Sequence, residues 1–265
     1  MPAVDSFIAY LTELGDTASF VSGALRARQE IGRVGWGASN ELDIVVKRFV
    51  GLNCVEDRIY QGLLVSAQAG FEQFVTGLQE DGCILINEGN LTASQLEARV
   101  PGFLKRFRRT SGIALSKIDE PRDYWAIDFD ALVRNLATTA GELRAAVDGK
   151  VFVVEGGVFN SDGLKKRLAA FGFEVSWDDV GRDSAVADSV GETGVRAAGK
   201  AAKEILDELS RRRNLLAHTQ GAHYVGYDDL TRFLGFYRAF SLYLSSAFHA
   251  FLRGRLAGAN ARSPR

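Results

Sequence analysis

The sequence predicts an all-α protein: a helical bundle with long antiparallel helices at its C-terminal end and helical insertions before them. Three observations predict it. Apolar residues recur at three- and four-residue spacing along most of the chain, the single strand-like run has no partner run to pair with, and four prolines in 265 residues leave long stretches uninterrupted. A hydrophobic content of 46% with a formal net charge of −1 supports a packed core and argues against disorder. The same charge balance provides no whole-molecule attraction for nucleic acid or acidic membranes, so any polyanion site must be local.

The elements follow in order. Phe7, Ile8, Leu11 and Leu14 open an apolar stripe in an N-terminal helical segment, residues 1–40. The stripe recurs from Leu42 to Leu78, through Val45, Phe49, Leu63, Leu64, Ala67, Phe71 and Phe74, and is expected to break at Asp81-Gly82. Thr92-Ala93-Ser94-Gln95 matches a helix capping box, and the helix it starts should run through Leu96, Val100, Phe103, Leu104 and Phe107 with a kink at Pro101. Phe129 to Val147 reads as a further helix. Val151-Phe152-Val153-Val154 is the strand-like run. Ser161-Asp162 caps a short helix ending near Gly172.

Asp178 to Glu192, with five acidic residues against Arg182, reads as a solvated connection. From about Thr193 a long helix passes through Ile205, Leu206, Leu209, Leu215 and Leu216 to Gly221, which suits a C-terminal cap. The final helix, from near Asp228 to about Arg253, is apolar over most of its circumference, so it sits at the centre of a bundle or pairs with a second chain. Its stretch from Phe233 to Leu252 has the length of a membrane span, but Arg238, His249 and three serines within it favour a buried helix and no membrane. Residues 257–265 read as a flexible tail.

Cys54 and Cys83 form no CxxC pair, and three histidines provide little for a zinc site, so no metal and no cofactor is expected. The opening Met1-Pro2-Ala3-Val4-Asp5 lacks the basic flank and apolar run of a signal peptide, which points to a reducing cytoplasm. There is no Walker A loop, GxGxxG, GxSxG or HExxH. Gly32, Gly35 and Gly37 lack dinucleotide spacing, and Gly156-Gly157 lacks the strand-to-helix context of a phosphate loop.

The remaining chemistry is concentrated at Ser210-Arg211-Arg212-Arg213-Asn214-Leu215-Leu216-Ala217-His218. Three arginines offer charge for phosphate, and a histidine offers a proton carrier that titrates near neutrality. Asn214 and His218, four apart, share a helix face, so the amide can orient the imidazole; Asn214 can equally be exposed. Arg213 and His218, five apart, diverge by roughly 140° and about 7.5 Å of rise, and converge on one phosphate only if the Arg wraps around, the last turn distorts, or a second copy contributes. Arg211, Arg212 and Arg213 have a plainer reading as a solvated face paired with Asp207 and Glu208, and His218 as a capping residue. Glu72 either lines the same pocket or lies on the surface. Lys105, Arg106, Arg108 and Arg109, interleaved with Phe103 and Phe107, either track phosphate or form the outer face of an amphipathic helix.

These residues resemble the HEPN superfamily of all-helical nucleotide-binding and ribonuclease domains. Its motif is Arg, four to six residues, then His, with a polar residue after the Arg; Arg213-Asn214-Leu215-Leu216-Ala217-His218 has that form at the end of one long helix and before another. Tyr60 to Phe74 is similar to the early helix of the RiboL-PSP and MAE-type groups, and Asn160-Ser161-Asp162-Gly163-Leu164 through Phe173 to their middle segment. The resemblance covers roughly residues 40 to 255 and implies a HEPN-like domain over residues 41–256. It further implies a metal-independent endoribonuclease, in which two protomers form one site and the 2′-hydroxyl attacks the adjacent phosphate to leave a 2′,3′-cyclic end. By position, His218 would be the general acid or base, Arg213 would stabilise the phosphorane charge and Asn214 would orient or bind phosphate, with Arg211 and Arg212 binding RNA. The implied partners are RNA, a second copy in a homodimer, and an antitoxin or regulatory protein, as for a toxin or phage-defence effector. The alternative is a non-catalytic HEPN-like module that binds a nucleotide or protein.

Overall fold

The structure, a computed structural model, describes residues 2–34, 53–117, 127–139, 143–155, 159–218 and 225–257. The described residues are all-α: α1 (Pro2–Val34), α2 (Asn53–Glu88), α3 (Ala93–Arg99), α4 (Phe103–Leu115), α5 (Phe129–Thr138), α6 (Ser161–Leu168), α7 (Trp177–Arg182), α8 (Ser184–Val190), α9 (Val195–His218) and α10 (Tyr227–Ala257). The expected tail beyond Ala257, which itself ends α10, the cap at Gly221, and the stretch from Leu42 to Leu52 lie outside the described residues.

The bundle is built on α2 and α10. Helix α1 packs against both, α9 packs against α2 and α10, and α8 fills the angle between α9 and α10. The apolar excess of α10 is explained by this central position: Leu230, Phe233, Phe236, Tyr237, Phe240, Leu244, Phe248 and Leu252 are all fully buried. Aromatic rings form the seams. Phe7, Phe71 and Tyr237 join α1, α2 and α10 at centroid distances of 4.9–6.1 Å, and Phe171 bridges Phe103 and Phe248 at 5.1 and 5.4 Å. No described helix is long and apolar enough to cross a membrane.

Several local expectations are corrected. Helix α2 does not break at Asp81-Gly82 but continues to Glu88. Gly82 serves packing: a Cβ there would lie 2.8 Å from the Phe171 ring and 3.0 Å from that of Phe248. The expected helix from Thr92 to Phe107 is two helices. Thr92 and Gln95 do form the capping box of α3, but Val100, placed before Pro101, leaves the helical region at φ −126°, ψ 75°, and Gly102 turns the chain at φ 82°. The helix at Phe129 ends at Thr138 rather than Val147. The chain beyond runs beside residues 91–92, with Ala145 N–H donating to the Leu91 carbonyl at 2.8 Å.

The strand-like Val151–Val154 lies in a 3-10 turn, Gly149–Glu155, that buries Val151 and Phe152 against α2 and α4. Asn160, not Ser161, caps α6, accepting from Gly163 N–H at 2.8 Å. The acidic stretch from Asp178 to Glu192 is no solvated connection but α7 and α8, with Val180 and Val186 fully buried. Its acids act as helix starts: Asp178 and Asp179 occupy the first turn of α7, and the Asp183 carboxylate accepts from Val186 N–H.

Candidate functional site

The site grows from the register of α9. Ile205, Leu206 and Leu209 face the core, and counting seven from Leu206 and four from Leu209 places Arg213 on the continuation of that face. Among the three arginines, Arg213 therefore turns inward and is half-buried, whereas Arg211 is exposed. Arg212 is committed within the molecule: its guanidinium reaches Glu208 at 2.6 Å and Asp229 of α10 at 3.8 Å, and lies 5.3 Å from the Phe233 ring centre. The anticipated pairing with Glu208 is present, but Asp207 points elsewhere, accepting from Ser161 N–H at 2.8 Å and from its hydroxyl at 3.0 Å.

That Asp207 contact docks the start of α6 on α9 and so places Arg167. Arg167 is 5% exposed, with its guanidinium carbon 4.1 Å from the Phe159 ring centre. Both Arg167 and Arg213 act on the carboxylate of Glu72, which is half-buried on α2 and not on the open surface. Burial pushes the Glu72 carboxyl above the usual range, while Arg213, a hydrogen bond with Gln68 and Arg167 pull it down without cancelling the rise. Arg213 Nη1 also donates to the Asn214 side-chain oxygen at 3.2 Å.

A polar string supports this carboxylate from the core side. The Tyr237 hydroxyl donates to Gln68 Oε1, and Gln68 Nε2 donates to the Phe159 carbonyl at 3.4 Å. Burial, reinforced by the Glu72 charge, pushes the Tyr237 phenol well up, so it remains a donor and cannot serve as a base. The helix of His218 is described but its side chain is not, so its facing of Asn214 lies outside the described residues, as does His223. The structure thus brings Arg213, Asn214 and Glu72 together and leaves Arg211 apart.

Sequence reasoning did not single out Gln68, Arg167 or Tyr237, and named Asp207 only as a partner for the arginines. A signal for two of them exists. Gln68 is a polar residue on an apolar stripe, four after Leu64 and four before Glu72, and Arg167 lies between the inward Leu164 and Leu168. Among the described residues, no group of three or more His, Cys, Asp or Glu side chains is placed to hold a metal ion. Comparison with models of known families, with characterised proteins and with solved structures finds no match to this chain.

Proposed function

We propose that this chain is an endoribonuclease of HEPN type that cleaves RNA without a metal ion, acting as a homodimer and as a toxin or defence effector held in check by a partner protein. The observation that carries it is Arg213, turned inward on α9 with its guanidinium 3.2 Å from the Asn214 amide oxygen, its charge and that of the buried Arg167 of α6 both acting on the half-buried Glu72 carboxyl. Two guanidinium groups against one carboxylate leave a net positive charge in a partly dehydrated setting, which favours a phosphate diester. Arg213 then stabilises charge on the phosphorane and Asn214 orients it.

In the reaction, one proton carrier removes the 2′-hydroxyl proton as the 2′-oxygen bonds to phosphorus. The bond from phosphorus to the 5′-oxygen breaks, and that oxygen takes up a proton. His218 fills the role of acid or base. Its five-residue offset from Arg213 is relieved when a second copy supplies one of the two groups.

The alternative, a non-catalytic HEPN-like module binding a nucleotide or protein, is favoured by Arg212, whose charge is used inside the molecule on Glu208 and Asp229. The deciding experiment incubates wild type and His218→Ala with mixed tRNA, rRNA and mRNA in EDTA, followed by end-group analysis. Cyclic phosphate ends from wild type alone support the nuclease. Absence of cleavage, together with nucleotide binding that Arg213→Ala weakens, supports the binding module.

A further inference from the structure

A second concentration of positive charge lies at the opposite end of α10 from the Arg212–Asp229 contact. From Ala93 to Lys117 the chain carries six Lys or Arg and one acid, Glu97, and from Leu230 to Ala257 it carries no acid at all. The fold brings the end of α3 to the end of α10, with α4 starting just beyond the Gly102 turn. Arg99 Nη1 donates to the Leu256 carbonyl at 2.5 Å, and a Cβ on Gly172 would meet Val100 and Phe251 both at 3.9 Å. On a chain of net charge −1, these two segments carry a local excess of positive charge, with Glu97 and the exposed Glu174, next to Phe173 where it packs on Phe251, as acids beside it.

Part of this charge has a structural use, Arg108 donating to Thr139 and Arg255 lying in the last turn of α10, but helix stability does not account for Lys105. Lys105 and Arg106 lie in the first turn of α4, where cations oppose the helix dipole, and that turn contains no acid. Lys105 and Arg109, four apart, are both exposed and repel one another, while Phe103, Leu104 and Phe107 occupy the buried face. Arg253 and Arg255 extend the patch from α10, both exposed, Arg255 lying over the Phe251 ring at 5.3 Å. Glu97 is used locally, accepting from Gly102 N–H at 2.6 Å.

We propose that this patch, centred on Lys105, Arg109, Arg253 and Arg255, binds the RNA backbone at a distance from the Arg213 site; the choice of RNA rests on the nuclease reading above. Along α10, Arg255 lies roughly 27 Å from Tyr237 and roughly 39 Å from Asp229, at about 1.5 Å per residue. At about 3.4 Å per nucleotide of a helical strand, some 8–12 nucleotides separate the two sites. The enzyme therefore prefers RNA long enough to occupy both, and the patch lowers KM for long RNA without changing kcat on short RNA.

The test is fluorescence anisotropy with a fluorescein-labelled 30-nucleotide mixed-sequence RNA and an 8-nucleotide control, in EDTA from 50 to 200 mM KCl. All proteins carry His218→Ala so that binding is read without cleavage. Adding Lys105→Gln, Arg109→Gln and Arg253→Gln should weaken binding of the 30-mer at least tenfold at 50 mM. It should also reduce the slope of log K against log salt by about 2, at about 0.7 for each phosphate that loses its cation. Binding of the 8-mer should change less than threefold. Arg109→Lys with Arg253→Lys, which keeps the charge, should retain wild-type affinity and controls for folding. Unchanged affinity and slope in the triple variant overturn the proposal. Equal competition by polyglutamate at matched charge also overturns it and assigns the patch to acidic protein segments. If wild type never cleaves RNA but the patch variants lose binding, the nuclease reading fails and the patch stands; cleavage with unchanged triple-variant binding means the reverse.

Discussion

His249 on α10 and Asp81 on α2 face each other at 3.5 Å between Nε2 and Oδ2, both side chains buried. Nδ1 of His249 lies 2.7 Å from the Ser245 carbonyl oxygen and so donates to it. Nε2 and the carboxyl oxygen then attract only when a proton lies between them, either on the imidazole or on Asp81, whose carboxyl burial pushes up. His249→Leu leaves Asp81 buried against apolar surface and should cost about 2–3 kcal/mol. That corresponds to roughly 5–10 °C in Tm for a domain of this size. Asp81→Asn, which offers an amide donor to Nε2, should cost less than about 1 kcal/mol. Thermal melts of the two variants at pH 7 check this, and equal losses would show that the pair does not clamp α2 to α10.

The crossing of α7 and α9 depends on two glycines. A Cβ on Gly181 would lie 2.0 Å from the Val195 carbonyl oxygen, and one on Gly199 2.0 Å from that of Trp177. Both obstacles are backbone, so neither can swing aside. Gly181→Ala should therefore cost about 3 kcal/mol, the upper range for overpacking, or prevent folding. Gly62→Ala, with nothing within 4 Å of its Cβ on the exposed side of α2, should stabilise by about 0.5–1 kcal/mol. Far-UV circular dichroism melts should separate the two in opposite directions.

The Glu72 carboxyl sits above its ordinary range because burial outweighs Arg213, Gln68 and Arg167. A carboxyl raised on folding adds stability that is complete below the ordinary carboxylate range and is lost as pH rises through the raised value. Glu72→Gln should therefore leave Tm at pH 7 unchanged or higher and flatten the decline in Tm between pH 4.5 and pH 7. A steeper decline in the variant would reverse the assignment.

The register of α9 separates the arginines by role. On the proposed reading Arg213→Ala should lower kcat for RNA cleavage by about 10²–10³-fold, as expected for loss of a donor to transition-state charge. Arg213→Lys should not restore it, because an ammonium cannot reproduce the planar guanidinium fork that donates to Asn214. Arg211→Ala, at an exposed position, should change kcat less than threefold. Single-turnover cleavage of one labelled RNA by the three variants measures this, and a large loss at Arg211 would relocate the site to the outer face of α9.

Tyr237 and Gln68 tie the site to the core. Tyr237→Phe removes the hydroxyl that donates to buried Gln68 Oε1 and leaves that oxygen unsatisfied, at a cost of about 1–2 kcal/mol. Urea unfolding should show a lower midpoint with an unchanged m-value; an unchanged midpoint would mean that Gln68 finds another donor.

What the sequence determined by itself is the information held within a few residues. The 3-4 spacing of apolar residues yields the all-α class and the capping box at Thr92-Gln95 starts α3, while the facing of Arg213 stayed open between a phosphate site and a solvated face. What only the tertiary structure decided depends on partners far along the chain. The Asp81-Gly82 pair looks like a helix stop until Phe171, Phe248 and His249 arrive to fill it. The acid-rich stretch after Ser176 becomes two helices because Val180 and Val186 find the core and the acids find helix starts. Val151 to Val154 tighten into a 3-10 turn because no second strand exists among the described residues to pair with them. The site itself was half legible. Arg213 and Asn214 lie in one motif, but Arg167 acts on Glu72 from a helix whose start is held by Asp207, 46 residues from Ser161. Local propensity is written in neighbouring residues, whereas convergence of α2, α6 and α9 on one carboxylate is set by packing.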